Sequence, residues 1–481
     1  MKYVLVETSS FGGRGHRARS GQNRMKSSVF LLSVFAWLVS SGCGNTVKTS
    51  TSANSSHNSQ WTRVKGDTTA NGQGFYGVLG TAAVSNTPGA RSNSMSWTDS
   101  TGNLWLFGGQ GIYTGTQIPI YNDLWKYSSG QWTWMSGSNT FNQRGTYGTS
   151  GIVAQSNVPG ARFGAMNGID ANGSLWLFGG NGYDSAGTPG ILNDLWKYTS
   201  GQWTWISGSN LVSQPGVYGS QGISGVNNVP GAREYSVSWM DSTGSLWIFG
   251  GFGMDSTGSS TYLNDLWRYS GSTWTWMGGS NLGNQPSNYG TKGAASPTNV
   301  PGARSFATAC TDTAGNLWLF GGEDKDGFHN DLWKYGTEQW SWVSGSNAVN
   351  QKGSYGTQAT VLTSNAPGGR SNAICWSDAT GNLWMFGGFG YDSTGTYGLL
   401  NDLWKYNSSG WTWTGGSNTV NGAGTAGTLG TPAPGNIPGA RSAAVGWIDA
   451  NGSLWLFGGV GPLPSTGGKT QDYNDLWKYN P

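Results

Sequence analysis

The chain has 481 residues, of which 82 are Gly and 28 are Trp, and only 10% are charged. So many aromatic residues exclude a disordered chain, and the glycine content favours a turn-rich, all-β protein. The net charge is +3, but six Lys/Arg and one Glu fall in residues 1–42, which leaves 20 basic and 22 acidic residues. This balance gives no electrostatic footprint for nucleic acid, and we expect no nucleic-acid partner.

The start of the chain predicts a secretion signal. An apolar run from Val29 to Val39 follows Met25 and is too short to span a bilayer. The run ends in Val-Ser-Ser-Gly-Cys, which resembles a bacterial lipoprotein cleavage box, although Ser40 replaces the usual aliphatic residue. The resemblance implies that Cys43 is lipidated and becomes the mature N-terminus, with Met25 as the true start. An ordinary secretory signal with an incidental cysteine is the alternative.

These features divide the chain into three parts. Residues 1–42 are the leader and signal, residues 43–59 form a Ser/Thr/Asn-rich tether, and residues 60–481 form the folded domain. We therefore expect a protein anchored to the cell envelope, at the outer membrane or extracellular surface, through Cys43 alone. Secretion without an anchor is the alternative.

The folded domain is a sixfold repeat of four short segments, a to d. Segment a follows Pro-Gly-Ala-Arg, segment b reads Leu-Trp-Leu-Phe-Gly-Gly, segment c reads Asn-Asp-Leu-Trp-Lys-Tyr, and segment d reads Trp-Thr-Trp, each with small variations. An Asp-x-x-Gly turn joins a to b, where we expect the Asp to cap the turn. A fixed period of about 70 residues indicates one structural unit per repeat.

The repeat count predicts how the ring closes. Segments a, b and c each occur six times after the tether, but d occurs only five times after them. The sixth d is Gln60-Trp61-Thr62, which precedes the first a. An N-terminal strand that completes the last sheet would leave no unpaired edge.

Gly-Gly after b, the aromatic residues of c and the Trp of d resemble the kelch repeat. The resemblance covers residues 60–481 and implies a six-bladed kelch-type β-propeller, as in the central domain of galactose oxidase-like proteins. Copper oxidation does not carry over, because His329 is the only histidine of the propeller and cannot build a site with two histidines. His329 also lacks partners for a nucleophilic triad, and we expect it to be solvated in its loop.

In such a fold the b–c and d–a connections share one face, and they are the long ones. Functional residues concentrate on loops over a rigid scaffold, so we expect the ligand on this face. The repeat arginines at the start of strand a either grip a ligand or tie blades together. They are Arg91, Arg162, Arg233, Arg304, Arg370 and Arg441.

A site for one ligand should break the sixfold symmetry. Next to the repeat arginines the breaks are Phe163, Glu234, Tyr235 and Phe306, where other copies carry small or polar residues. The b–c loop of the fourth repeat breaks the symmetry most in charge, with Asp324, Asp326 and His329. These residues and the arginines are the candidate ligand contacts.

Two further patterns are weighed here. Asp184, Asp255 and Asp392 open oxygen-rich turns that suit calcium, but a loop Asp commonly caps its turn, so we predict no metal and no cofactor. Cys310 and Cys375 lie six and five residues after their repeat arginines. Side chains at these offsets face opposite sides of a strand, so we expect two buried thiols rather than a disulfide.

The sequence therefore favours a monomeric, non-catalytic surface module that binds a protein or a glycan. The alternative is a carbohydrate-active enzyme, with epimerase or lyase-like activity, that uses carboxylates and arginines at the pore mouth. A purely structural surface protein is the third possibility, since a fold does not decide among these functions.

Overall fold

The computed structural model describes residues 59–67, 71–112, 115, 117–462 and 470–481. In these ranges the chain forms strands and turns, and it has no helix that could cross a membrane. Antiparallel sheets with strand order a-b-c-d form six blades, which confirms the predicted all-β propeller. The predicted signal, the lipidation site Cys43 and the tether up to residue 58 lie outside the described residues.

The blades are numbered in chain order by their a strand. The a strands are Met95–Thr98, Met166–Ile169, Val237–Met240, Thr308–Thr311, Ile374–Ser377 and Val445–Ile448. The b strands are Leu104–Phe107, Leu175–Tyr183, Leu246–Met254, Leu317–Phe320, Leu383–Tyr391 and Leu454–Phe457. The c strands are Leu124–Ser128, Pro189–Thr199, Ser260–Ser270, Leu332–Gly336, Tyr397–Asn407 and Leu476–Asn480.

The d strands lie at the outer edge of each blade. They are Gln131–Ser136, Gln202–Ser207, Thr273–Gly278, Gln339–Ser344, Gly410–Gly415 and, for blade 6, Gln60–Lys65. Short accessory strands are Arg162–Phe163, Ser224–Gly225, Arg233–Glu234, Ala295–Ser296, Arg370–Ser371, Val460–Pro462 and Thr470–Asp472. The a strands of neighbouring blades contact one another and surround a central channel.

Ring closure follows the prediction. The N-terminal strand Gln60–Lys65 pairs antiparallel with the last c strand, and Trp61 lies opposite Tyr479. The Nδ2 of Asn436 also donates to the Trp61 carbonyl at 3.0 Å. The first strand of the domain therefore completes the last blade.

The Gly-Gly of each b segment joins neighbouring blades. Gly108 has φ 61°, and a Cβ there would lie 2.6 Å from the carbonyl oxygen of Arg162 in the next blade. Gly109 has φ 96° and donates its N–H to that same oxygen at 2.9 Å. The pair is fixed by this close approach, because a side chain would force the two blades apart.

The blades differ in their b–c hairpins. Blades 2, 3 and 5 extend b to nine residues and c to eleven. Blades 1, 4 and 6 keep four-residue b strands. The b–c hairpins therefore differ in length around the ring.

One prediction about the cysteines is wrong. Cys310 and Cys375 form a disulfide between the a strands of blades 4 and 5. Their side chains do face opposite sides of their own sheets, as the offsets indicate. Adjacent blades, however, present opposite sides to each other, so the two sulfur atoms meet between the blades.

Candidate functional site

The repeat arginines lie inside the blades, in a network that is the same in each blade except the sixth. In blade 2, both Nη atoms of Arg162 donate to Asp194, at 2.6 and 2.7 Å, and its Nε donates to the Gly160 carbonyl. The Asp194 Oδ2 also accepts from the Tyr147 hydroxyl at 2.6 Å and the Trp196 Nε1 at 2.7 Å. Arginine, aspartate, tyrosine and tryptophan thus tie three segments of one blade together: the start of a, segment c and the d–a connection.

The other blades repeat the ion pair. The pairs are Arg91–Asp123, Arg162–Asp194, Arg233–Asp265, Arg304–Asp331, Arg370–Asp402 and Arg441–Asp475. The arginine side chains are at most 2% exposed, and their donors bind the aspartate and backbone carbonyls. Of the two roles left open by the sequence, this geometry favours the structural one.

A closed ring of backbone hydrogen bonds surrounds the channel next to the arginines. The residue two positions after each arginine donates its N–H to the carbonyl of the same position in the preceding blade, at 2.8 to 3.1 Å. The members of this backbone ring are Asn93, Gly164, Tyr235, Phe306, Asn372 and Ala443. All six are left-handed, with φ between 54° and 60°.

The backbone ring explains part of its own sequence. Glycine and asparagine adopt the left-handed conformation readily, whereas bulky side chains there are outliers. Tyr235 and Phe306 are such outliers, with φ 54° and 55°. Their rings stack on each other with centroids 3.8 Å apart, and Phe163 lies 6.1 Å from Tyr235. The structure thus brings three predicted contact residues into one aromatic cluster at the channel mouth.

The aromatic cluster is fitted to its neighbour. A Cβ at Gly164 would lie 2.6 Å from the Tyr235 ring, so the ring covers this glycine. Phe163, Tyr235 and Phe306 are all half-buried. An aromatic surface therefore lines one side of the mouth, over blades 2 to 4.

Glu234, the fourth predicted contact, lies between Arg233 and the backbone ring and is 8% exposed. It pairs with Phe252 and is hydrogen-bonded to the Asn181 side chain of blade 2. Burial raises the pKa of Glu234 to about 7, although the Asn181 hydrogen bond acts in the opposite direction. Near neutral pH this carboxyl group can therefore donate or accept a proton.

Two further carboxyl groups lie at the same level and were not among the predicted contacts. Burial raises the pKa of Glu323, although a hydrogen bond from Ser371 acts to lower it. Burial also raises the pKa of Asp472 to about 7, although a hydrogen bond from Ser92 and the charge of Arg91 act to lower it. Ser92 and Ser371 occupy the Glu234 position in their own blades. The sequence does not mark these two carboxyl groups, because only the fold brings them next to the backbone ring.

The fourth-blade loop holds the remaining predicted contacts. Asp326 is exposed and pairs with Lys325 at 2.7 Å. The expectation of a solvated His329 is wrong, because this residue is 5% exposed and its Nε2 lies 2.8 Å from Asp324 Oδ2. Burial acts to raise the pKa of Asp324, but the His329 contact and backbone hydrogen bonds bring it below its usual value. The pair fixes the short loop.

The hairpin aspartates cap their turns. Asp255 Oδ1 accepts from the backbone N–H groups of Thr257 and Ser259, and its Oδ2 accepts from Gly283. Asp184 and Asp392 make the same contacts in blades 2 and 5. Among the described residues no cluster of three or more His, Cys, Asp or Glu could hold a metal ion.

Comparison with known proteins adds little to this geometry. No protein-family model matches the chain, and no curated protein matches it. Among solved structures, YjhT is similar over 81% of this chain and 95% of its own, with 15% identity and a TM-score of 0.47. A similarity at this level carries no information about function.

Proposed function

We propose that this propeller is a non-catalytic binding module of the kelch type, and that it holds a glycan at the mouth of its central channel. The observation that carries the proposal is the aromatic cluster of Phe163, Tyr235 and Phe306. Tyr235 and Phe306 hold a left-handed backbone that costs a bulky residue about 1–2 kcal/mol. Asn93 and Asn372 occupy the same ring positions at lower cost, so folding does not require aromatic side chains there.

The surroundings of the cluster suit a sugar. Aromatic faces pack against the C–H face of a sugar ring, and carboxyl and amide groups bind its hydroxyls. Glu234 and Asn181 lie beside the cluster and supply both kinds of polar group. A small number of polar groups beside an apolar surface is the usual composition of a ligand site.

The test is glycan-array binding by the full-length chain and by Tyr235→Asn. Asparagine is chosen because the chain itself uses it in this backbone conformation, so the fold is preserved. We expect the unmodified chain to bind a defined set of glycans and the variant to lose at least about tenfold in affinity. Asn372→Ala is the matched control at a ring position outside the aromatic cluster and should bind normally, because the chain itself carries an alanine, Ala443, at this position in blade 6. Absence of glycan binding would contradict the proposal and favour a protein ligand.

A carbohydrate-active enzyme is the second candidate, because three carboxyl groups with raised pKa values lie at one level of the mouth. A carboxyl group with a pKa near 7 is suited to general acid–base catalysis. The discriminating measurement is NMR of a glycan found on the array after incubation with the chain. A changed glycan, and no change with Glu234→Gln, would favour the enzyme. An unchanged glycan would favour the binding module.

We also propose that the protein is anchored to the cell envelope by lipid at Cys43. The disulfide between Cys310 and Cys375 supports an oxidising compartment outside the cytoplasm, because disulfides are rare in reducing ones. Radioactive palmitate should label the protein with the native sequence and should not label the Cys43→Ser variant. Equal labelling of both would contradict the anchor.

A further inference from the structure

The sixth blade lacks one residue of the network that ties every other blade together. In blades 1 to 5 a tyrosine from the d–a connection donates its hydroxyl to the buried aspartate, at 2.6 to 2.9 Å. These tyrosines are Tyr76, Tyr147, Tyr218, Tyr289 and Tyr355. In blade 6 the corresponding residue is Ala426, and among the described residues the side chain of Asp475 accepts from Arg441 and Trp477 alone.

The backbone at this position does not change. Thr425 bridges Ile437 as Ser354 bridges Ala366 in blade 5. Gly427 has φ 59°, the same as Gly356 after Tyr355. Ala426 therefore occupies the tyrosine position, and what is missing is the phenol ring and its hydroxyl.

A second aromatic residue is missing from the same place. In blade 5, Tyr355 packs against Trp404 and Trp413, with ring centroids 4.8 and 5.3 Å away. Trp477 corresponds to Trp404, but the residue opposite Trp477 on the edge strand is Arg63. The Arg63 Nε is buried and has no hydrogen-bond partner in the part of the chain that the structure describes.

Both substituted positions open into a cavity of about 700 Å³ that lies between blade 6 and the b–c hairpin of blade 5. Ala426, Arg63, Asp475 and Trp477 are among its walls. The volume lies within the range of about 300–1,000 Å³ that is typical of small-molecule sites. The cavity is therefore large enough for a ring in the tyrosine position and for a substituent beyond it.

No other described residue takes over the missing role. Tyr473 also lines the cavity, but its ring lies over Arg441 at 4.3 Å. Tyr121 lies over Arg91 at the same distance in blade 1, where Tyr76 is present as well. The sequences of residues 68–70 and 463–469, which lie outside the described ranges, contain no aromatic residue.

We propose that this cavity binds a phenolic ring, supplied by a free phenol or by a tyrosine side chain of a partner polypeptide. The ring packs on Trp477, and its hydroxyl donates to Asp475 Oδ2, as the chain's own tyrosines do in the other blades. Arg63 lies at the cavity wall and offers its Nε to an acceptor on the ligand. This site is separate from the proposed glycan site and does not depend on it.

The test on the unmodified full-length chain compares p-cresol with toluene by calorimetry and thermal shift. We expect p-cresol to bind at least about tenfold more tightly, because a hydrogen bond to a charged acceptor contributes this much. N-acetyltyrosinamide, with N-acetylphenylalaninamide as its control, distinguishes a polypeptide side chain from a free phenol. Equal affinity for p-cresol and toluene, or no binding of any phenol, would overturn the proposal.

Two variants locate the site. Ala426→Tyr should raise the Tm and abolish p-cresol binding, because it restores the ring that the other blades carry. Tyr355→Ala should lower the Tm and create a second p-cresol site, so that p-cresol restores part of the lost Tm. Unchanged p-cresol binding in Ala426→Tyr would refute the location.

Discussion

Truncation of Trp61 to alanine tests whether the first strand of the domain holds the ring closed. Trp61 is 4% exposed, and its ring centroid lies 5.4 Å from that of Phe386 in blade 5 and 5.0 Å from that of Tyr479 in its own blade. A buried tryptophan removes about 150–250 Å² from water, which at about 25 cal/mol per Å² contributes about 4–6 kcal/mol. Measured truncations of this kind cost about 3–5 kcal/mol. We expect Trp61→Ala to lower the free energy of unfolding by that amount.

The matched control is Trp203→Ala. Trp203 holds the same position in blade 2, is 1% exposed, and has its ring centroid 5.4 Å from that of Phe107. Guanidinium unfolding followed by circular dichroism should give similar losses for both variants, because both strands complete a sheet in the same way. A Trp61→Ala variant within about 0.5 kcal/mol of the unmodified chain, with Trp203→Ala strongly destabilised, would refute closure by the N-terminal strand.

Three further predictions concern the disulfide, the buried acids and the aromatic cluster. Cys375→Ser should lower the free energy of unfolding by about 4 kcal/mol on chain entropy, because the bridge closes a loop with a sequence separation of 65 residues. Chemical denaturation measures this loss, and an unchanged midpoint would contradict the prediction. Glu234 and Asp472 have pKa values of about 7 in the folded chain, so they keep protons that the unfolded chain releases near pH 4. The free energy of unfolding therefore falls as the pH rises from about 4 through 7. The loss is up to about 1.4 kcal/mol per pH unit for each group; the Tm should be lower at pH 8 than at pH 5, and Glu234→Gln should reduce the difference. Phe306→Asn should change the free energy of unfolding by less than about 1 kcal/mol, because relief of the left-handed strain offsets the lost ring stacking; a loss above about 3 kcal/mol would assign the ring to the core.

The repeat made the fold predictable from the sequence. Each segment recurs six times, so the assignment of strands, turns and closure rests on many copies rather than one. The turn aspartates illustrate this, since the sequence predicted the cap and Asp99 Oδ1 accepts from the N–H groups of Thr101 and Asn103. Local patterns of this kind depend on neighbours in the chain, which the sequence contains.

Contacts between blades were harder to predict from the sequence. The alternation of side chains along a strand placed Cys310 and Cys375 on opposite sides correctly, but it says nothing about which sides of adjacent sheets meet. His329 shows the same limit: its burial depends on a contact with Asp324 that the shortened loop of blade 4 creates. The backbone ring was equally hard to predict, because five of its hydrogen bonds join residues about 70 positions apart and the sixth joins Asn93 to Ala443.

The two proposed sites follow from one physical argument. Where six copies carry the same residue, as at the buried arginines, the fold explains the residue and uses most of its hydrogen-bonding capacity. Where one or two copies depart from the others, the side chain is either larger than the fold needs or smaller. Tyr235 is larger than the backbone ring needs, and Ala426 lacks the phenol that the other blades place beside the buried aspartate. An excess leaves an aromatic surface that the backbone does not need, and a deficit leaves an acceptor and a cavity that the blade does not fill. Both are therefore places where a ligand can complete what the repeat does not provide.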